Sequence, residues 1–339
     1  MKKTIAVISG DRNGGIVALR GYQYFKQLKH KYDFIPLSPE QVDTADLMFW
    51  DAAVFFHVWH SDHLRMIERV KRVGRIPVVF DMDDLLTQMP SDHMMFAPMS
   101  EKSQHNVPAM IAMADRVVLS TDYLQRQWNH LNKNITVIEN SIDWSRYENP
   151  PMKPYHTGFV VGWTGSLSHI SEVHEILIPP LSKFMDRHHD VRAYFHLVCP
   201  QTMLDKYGSR IIFESQPVDW IDWPAMCATY PFDVCAVPLH KNAFNEAKSD
   251  LRLLDMAPFH IPLIASPRSQ FKRHKDQGLL LLAETENEWL EAFEKAYADR
   301  QMLNTIADKA HRYVKAERSH VEGIEQWDSL LGSLWDNTL

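Results

Sequence analysis

Lys248, Ser249 and Asp255 are the residues of this chain best typed and spaced to hold a phosphorylated ligand. They lie in Phe244-Asn-Glu-Ala-Lys-Ser-Asp-Leu-Arg-Leu-Leu-Asp-Met-Ala257, where Leu251, Leu254 and Ala257 fit the buried face of a helix. Lys248 and Asp255 are seven residues apart. On a helix that spacing points them in nearly the same direction, about 10 Å apart. A lysine at a helix start can grip a diphosphate, while a carboxylate at that distance accepts the hydroxyls of the attached ribose. The same charges also suit the solvent face of an amphipathic helix.

A second constellation is Val161-Gly-Trp-Thr-Gly-Ser166, directly after a strand-like run. Gly162 and Gly165 would allow the tight turn and close backbone approach that a phosphate requires, and Ser166 adds a hydroxyl donor. Glycines at such turns are equally at home for structural reasons alone. In the N-terminal half, Asp81, Asp83 and Asp84 follow the apolar run Ile76 to Phe80, at the carboxyl end of a strand. They read as acceptor-binding or catalytic carboxylates, or, for Asp83 and Asp84, as caps of the next helix. His57 and His60 end another run and suit polarisation of an acceptor or metal ligation, although with 18 histidines such proximity also arises by chance. Arg20, after the Asn13-Gly14-Gly15 loop, is a further cleft candidate. Ser120 and Thr121 can bond a ligand's hydroxyls or cap the helix that follows.

The elements that must position these residues are short apolar runs alternating with longer helical patterns. Thr4 to Ser9, Ala52 to His57, Ile76 to Asp81, Arg116 to Ser120 and Thr136 to Glu139 read as strands covered on both faces. After a proline-bearing linker at Asn149 to Gly158, a second series follows: Phe159 to Thr164, Arg192 to Val198, Ile211 to Glu214, Phe232 to Pro238, Pro262 to Ser266 and Gly278 to Ala283. The expected fold is therefore α/β, with two doubly wound parallel sheets facing across a cleft that holds the ligand at the strands' carboxyl ends. The expected domains are residues 1–148, 149–320, and a last helix at 321–339 packing back toward the first. Trp327, Leu330, Leu331 and Trp335 form the apolar stripe of that helix.

A chain of 339 residues favours two domains over one. Its net charge of −7 argues against non-specific coating of nucleic acid, which needs many lysines and arginines to neutralise phosphates, and leaves room for a local basic groove. The basic run Lys71 to Arg75 reads as a solvated helix end. No stretch is long and apolar enough to span a membrane, and the start lacks the pattern of a signal peptide, so a cytoplasmic location is expected. Three cysteines without paired spacing indicate neither a disulfide framework nor a zinc site.

The run from Ala247 to Ser266, Ala-Lys-Ser-Asp-Leu-Arg-Leu-Leu-Asp-Met-Ala-Pro-Phe-His-Ile-Pro-Leu-Ile-Ala-Ser, resembles the nucleotide-sugar signature of family 4 glycosyltransferases. Gly162 to Ser166, Val79 to Leu85, Ala114 to Leu124 and Val137 to Asp143 agree in the same order. The resemblance implies a retaining, two-domain GT-B enzyme that moves a sugar from a nucleotide-sugar such as a UDP- or GDP-sugar to an acceptor hydroxyl. It implies that Gly165, Ser166, Lys248 and Ser249 meet the diphosphate, that Asp255 takes the ribose, and that Val218 to Trp220 border the base. Trp220 would stack there or serve the core, and Asn140 to Asp143 would form the hinge. Family members commonly carry two glutamates eight positions apart, where this chain has Ala247 and Asp255; Ser166 stands for a usual arginine, and Ser141 and His260 for usual glycines.

With no protein nucleophile evident, front-face attack is the expected chemistry, with Lys248 stabilising the leaving phosphate and Asp83 and His57 as the further catalytic candidates. Asp81-Met82-Asp83 imitates a metal-binding DxD, but a lysine and helix start already neutralise the diphosphate, so no metal or other cofactor is expected. Expected acceptors are a glycan, a small molecule or a modified base in DNA. A sugar-nucleotide epimerase and a non-catalytic nucleotide-sugar sensor or partner subunit remain as alternatives.

Overall fold

In the computed structural model, which describes residues 1–10, 14–44, 47–91, 93 and 96–335, two six-stranded parallel sheets account for the strand-like runs of the sequence. The first comprises β1 (Lys3–Ser9), β2 (Tyr32–Leu37), β3 (Ala52–Phe56), β4 (Val78–Met82), β5 (Arg116–Leu119) and β6 (Ile135–Val137), in the order β2-β1-β3-β4-β5-β6. The second comprises β7 (Phe159–Thr164), β8 (Val191–His196), β9 (Ile211–Glu214), β10 (Val234–Val237), β11 (Leu263–Ala265) and β12 (Leu281–Leu282), in the order β12-β11-β10-β7-β8-β9. All neighbouring strands pair in parallel. Helices cover both faces, and the two Rossmann-like units present the carboxyl ends of their strands to a shared cleft, as the sequence led us to expect.

β2 was not among the expected strands. It is an edge strand with alternating exposure, and Pro36 interrupts its hydrogen-bonding capacity, which an edge tolerates and a central strand does not. β12 is shorter than its apolar run, with only Leu281 and Leu282 paired.

Two elements cross between the units. Helix His320–Gly332 sets Trp327, Leu330 and Leu331 into the core beneath β1 and β3, beside Tyr24 and Phe25. Gly323 permits that approach, because a Cβ there would stand 2.4 Å from the Tyr24 ring. In the other direction, Phe244 and Ala247 of the short helix Ala243–Ala247 are buried in the N-terminal core with Leu85, Leu86 and Leu124. The Thr121 hydroxyl donates to the Ala247 carbonyl at 3.1 Å. Residues 336–339 of the expected last helix, and Asn13 of the expected glycine loop, lie outside the described residues.

Candidate functional site

Lys248 does not begin a helix. Helix Ala243–Ala247 ends before it, Lys248 is extended with φ −63° and ψ 144°, and the next helix spans Leu251–Met256. The interruption has a cause distant in sequence. Asp250 is drawn into a buried cluster where its carboxylate accepts from Arg318 at 2.7 and 2.9 Å, from Arg273 at 3.2 Å, and meets His274 Nε2 at 2.7 Å. Burial opposes ionisation of Asp250, but Arg318, His274 and Arg273 hold its carboxyl far below the usual range. Lys248 and Ser249 are thus strung between a helix anchored in the N-terminal core and a carboxylate anchored in a cationic cluster.

The cleft contains two adjoining cavities. The larger, about 700 Å³, joins Gly15, His57 and Asp83 of the N-terminal unit to Trp220, Trp223 and Asp255 of the other. The smaller, about 260 Å³, is bordered by Asp83, Asp84, Gly165, His169, Lys248 and Ser249. Asp83, Ile16, Leu251 and Arg252 border both. Volumes of this size suit an organic ligand with several rings.

On the C-terminal side of the cleft, Asp255 is 5% exposed and receives Trp223 Nε1 at 2.9 Å and Arg252 Nη1 at 3.1 Å. Burial raises its pKa, against the pull of Arg252, the Trp223 hydrogen bond and Arg146. Lys248 Nζ lies 3.5 Å from Asp84 across the cleft and 4.5 Å from the Phe244 ring centroid. The Ser249 hydroxyl accepts from Asn140 Nδ2 at 2.8 Å. Gly165 borders the smaller cavity, but Ser166 does not; it is exposed, and its hydroxyl bonds Ser168. Gly162 is required by packing, since a Cβ there would stand 2.2 Å from Phe232 Cγ. Trp220 borders the larger cavity with one face already occupied: the Arg146 guanidinium sits 3.4 Å from its ring centroid and donates to the Trp220 and Ile221 carbonyls. Trp220 therefore presents less free ring than a base-stacking role assumed.

On the N-terminal side, the candidate residues separate by depth. Arg20 and Asp81 form a pair with fully buried side chains, at 2.6 and 3.2 Å, and neither borders a cavity. Arg20 also donates to the Ile138 carbonyl and to Asn140 Oδ1, so the structure places the pair beneath the cleft floor rather than at its surface. Burial works against the Arg20 charge, and Asp81 more than restores it. His60 lies outside both cavities; its Nδ1 accepts from the Asp62 amide, and it caps helix Ser61–Arg69. Ser120 is buried and donates to the Asp83 carbonyl, a contact that shapes the turn after the strand.

His57 and Asp83 do reach the larger cavity. His57 holds a left-handed backbone, φ 47°, which costs a non-glycine residue roughly 1–2 kcal/mol. Such strain is concentrated at functional positions. Its Nδ1 lies 3.3 Å from Asp83 Oδ1. Burial would lower the His57 pKa, but Asp83, then Asp84 and Asp81, raise it above the ordinary value. Burial would raise that of Asp83, and His57, Arg20 and Lys248 lower it. The cleft thus carries a carboxylate–imidazole pair facing a lysine.

Ala247 and Glu246 resolve the missing glutamate. Ala247 is fully buried against the N-terminal core, where a carboxylate would lose its solvation without a partner. Glu246 accepts from the Ser269 amide and hydroxyl at 2.8 and 2.6 Å, capping helix Ser269–Lys272 away from the cavities. Sequence reasoning also passed over Arg252, Arg146 and Trp223, all of which border the larger cavity. Arg252 was discoverable, lying four residues after Lys248; Arg146 was not, because only the chain crossing brings it to Trp220. Among the described residues no group of three or more His, Cys, Asp or Glu side chains is placed to hold a metal, and no helix is long and apolar enough to cross a membrane.

No protein-family model matches the chain, and no curated protein matches it significantly. Solved structures do. HepE of Anabaena, in complex with UDP and glucose, superposes with a TM-score of 0.70 at 15% identity, over 98% of this chain and 100% of that one. Sucrose-phosphate synthase of Thermosynechococcus elongatus gives 0.73 at 14% identity, over 99% and 100%. A putative UDP-N-acetylglucosamine 2-epimerase of Listeria monocytogenes gives 0.67 at 10% identity, over 100% and 98%. These likenesses show the GT-B fold, two Rossmann-like domains facing across a cleft.

Proposed function

We propose that this chain is a glycosyltransferase that moves a sugar from a nucleotide-sugar to an acceptor hydroxyl, with retention of configuration and without a metal or other cofactor. The observation that carries the reading is the pair of joined cavities, with buried Asp255 in one and Lys248, Ser249 and Gly165 bordering the other. In this reading the nucleoside lies along Val218 to Trp223, with its ribose hydroxyls on Asp255. The diphosphate crosses toward Lys248, and the sugar occupies the smaller cavity. The acceptor enters past His57 and Asp83. HepE supports it by the UDP and glucose it binds in the same fold.

For the reaction, Lys248 and the Gly165 turn would stabilise charge on the departing β-phosphate oxygen, which accepts the proton of the acceptor hydroxyl attacking from the same face. Lys248 pairs with Asp84 across the cleft, so an arriving diphosphate has to compete with a carboxylate for the lysine. Asp83 and His57 would orient the acceptor hydroxyl. In this reading the chain divides at 148/149 and 320/321 and acts in the cytoplasm. A glycan or small molecule is the proposed acceptor, with a modified base in DNA as a further class.

The test is mass spectrometry of products from a panel of UDP- and GDP-sugars, with and without acceptor, together with NMR of the new linkage. Transfer with retained anomeric configuration is expected. The likeness to a putative epimerase makes a second reading specific: an isomerised sugar nucleotide formed without acceptor would establish it and replace transfer. Tight nucleotide-sugar binding with neither product would instead indicate a sensor or partner subunit.

A further inference from the structure

Arg252 stands where the two cavities meet. It is the one lysine or arginine, among the described residues, that borders both, whereas Lys248 borders only the smaller and Arg146 only the larger. A nucleotide-sugar with its nucleoside in the larger cavity and its sugar in the smaller must lay its two phosphates across that boundary. Arg146 is engaged on the Trp220 ring and two backbone carbonyls. Arg252 has a lighter commitment: Nη1 donates to Asp255 Oδ2 at 3.1 Å, and the guanidinium lies 5.8 Å from the Trp223 ring centroid. A planar guanidinium can keep that bond on one edge and offer another edge to phosphate oxygens.

We propose that Arg252 binds the diphosphate directly and couples it to the ribose through Asp255, making it the second cation of the donor site beside Lys248. This rests on the nucleotide-sugar reading given above. The arrangement divides the work between a fixed and an exchangeable group. Arg252 is positioned by a buried carboxylate, while Lys248 must leave Asp84. Arg252 would therefore contribute to holding the donor in the ground state as well as to neutralising the leaving group. A lysine at position 252 would retain charge but lose the second edge.

The experiment is a binding titration by NMR of UDP, GDP, uridine and guanosine against the wild-type chain, Arg252→Lys and Arg252→Gln, with thermal melting of each variant as a control. The expected result is that Arg252→Gln weakens the bound nucleoside diphosphate about 10- to 100-fold, the range for a lost charge-assisted hydrogen bond. The matching nucleoside should change by less than about threefold, and Arg252→Lys should recover part of the loss. Equal weakening of diphosphate and nucleoside would overturn the proposal by reducing Arg252 to a support for Asp255. An unchanged diphosphate affinity would overturn it outright. If the wild-type chain binds neither diphosphate, the nucleotide-sugar reading itself falls, and this inference with it.

Discussion

Replacing Asp250 by asparagine preserves the shape of the side chain while removing the charge that organises the segment after Lys248 and Ser249. In the wild-type chain this carboxylate is 1% exposed and faces Arg318, Arg273 and His274, with Arg318 also donating to the Asn140 carbonyl at 2.6 and 3.2 Å. Removing one member of a buried ion pair leaves the other unpaired and costs about 3–5 kcal/mol. For a chain of this length that corresponds to a fall in melting temperature on the order of 5 °C. The pH dependence adds a second signature. Because the Asp250 carboxyl is depressed below its ordinary value, its stabilisation is fully present above about pH 4 and lost as the pH falls through the folded value. Wild-type stability should therefore decline more steeply on the acid side than that of Asp250→Asn. The assay is thermal and urea denaturation between pH 3 and 7, with Arg318→Met and the double variant to complete a cycle. The double variant should be less damaged than the sum of the single ones, since it buries no orphaned charge. A single variant that melts within 1 °C of wild type, with an unchanged acid slope, refutes the idea that this cluster holds the segment in place.

Lys248→Ala should reduce transfer at least a hundredfold while leaving the melting temperature within a few degrees of wild type, and wild-type-like turnover would remove the lysine from the mechanism. Asp83→Asn should move the His57 titration midpoint down, read from ring proton shifts in NMR, because Asp83 supplies the main interaction raising it. With Asp83 depressed and His57 raised, the stabilisation from the pair is full between about pH 4 and pH 6.5, fading as the pH rises through the raised His57 value and as it falls through the lowered Asp83 value; an unmoved midpoint would show the two to be uncoupled. Gly162→Ala should destabilise the fold by about 1–3 kcal/mol or more, since the new methyl meets the Phe232 ring, and a variant that melts like wild type would contradict the packing role given to this glycine.

The sequence revealed what depended on local pattern. Central strands appeared as continuous apolar runs because both faces are covered, and the helical stripe at Trp327, Leu330 and Leu331 appeared because its period is local. Lys248, Asp83 and His57 were legible as residues at element ends, and the structure brings them to the cleft. Contacts across long separations were not legible. Arg20 and Asp81 are 61 residues apart, and only their pairing shows that neither is available to a ligand. The helix containing Lys248 looked continuous because Leu251, Leu254 and Ala257 keep a helical spacing, whereas its break depends on Arg318, 68 residues beyond Asp250. Ala247 resembled a lost functional group because its partner surface belongs to the other half of the chain.

The exchange of elements between the halves has a consequence for dissecting this protein. A fragment ending before Ala243 would expose the socket filled by Phe244 and Ala247, and one ending before His320 would uncover the face occupied by Trp327. Neither half is sealed by its own contiguous stretch of sequence. Replacing one half by that of another protein would require matching two plugs and two sockets, so the halves of this chain are not interchangeable modules.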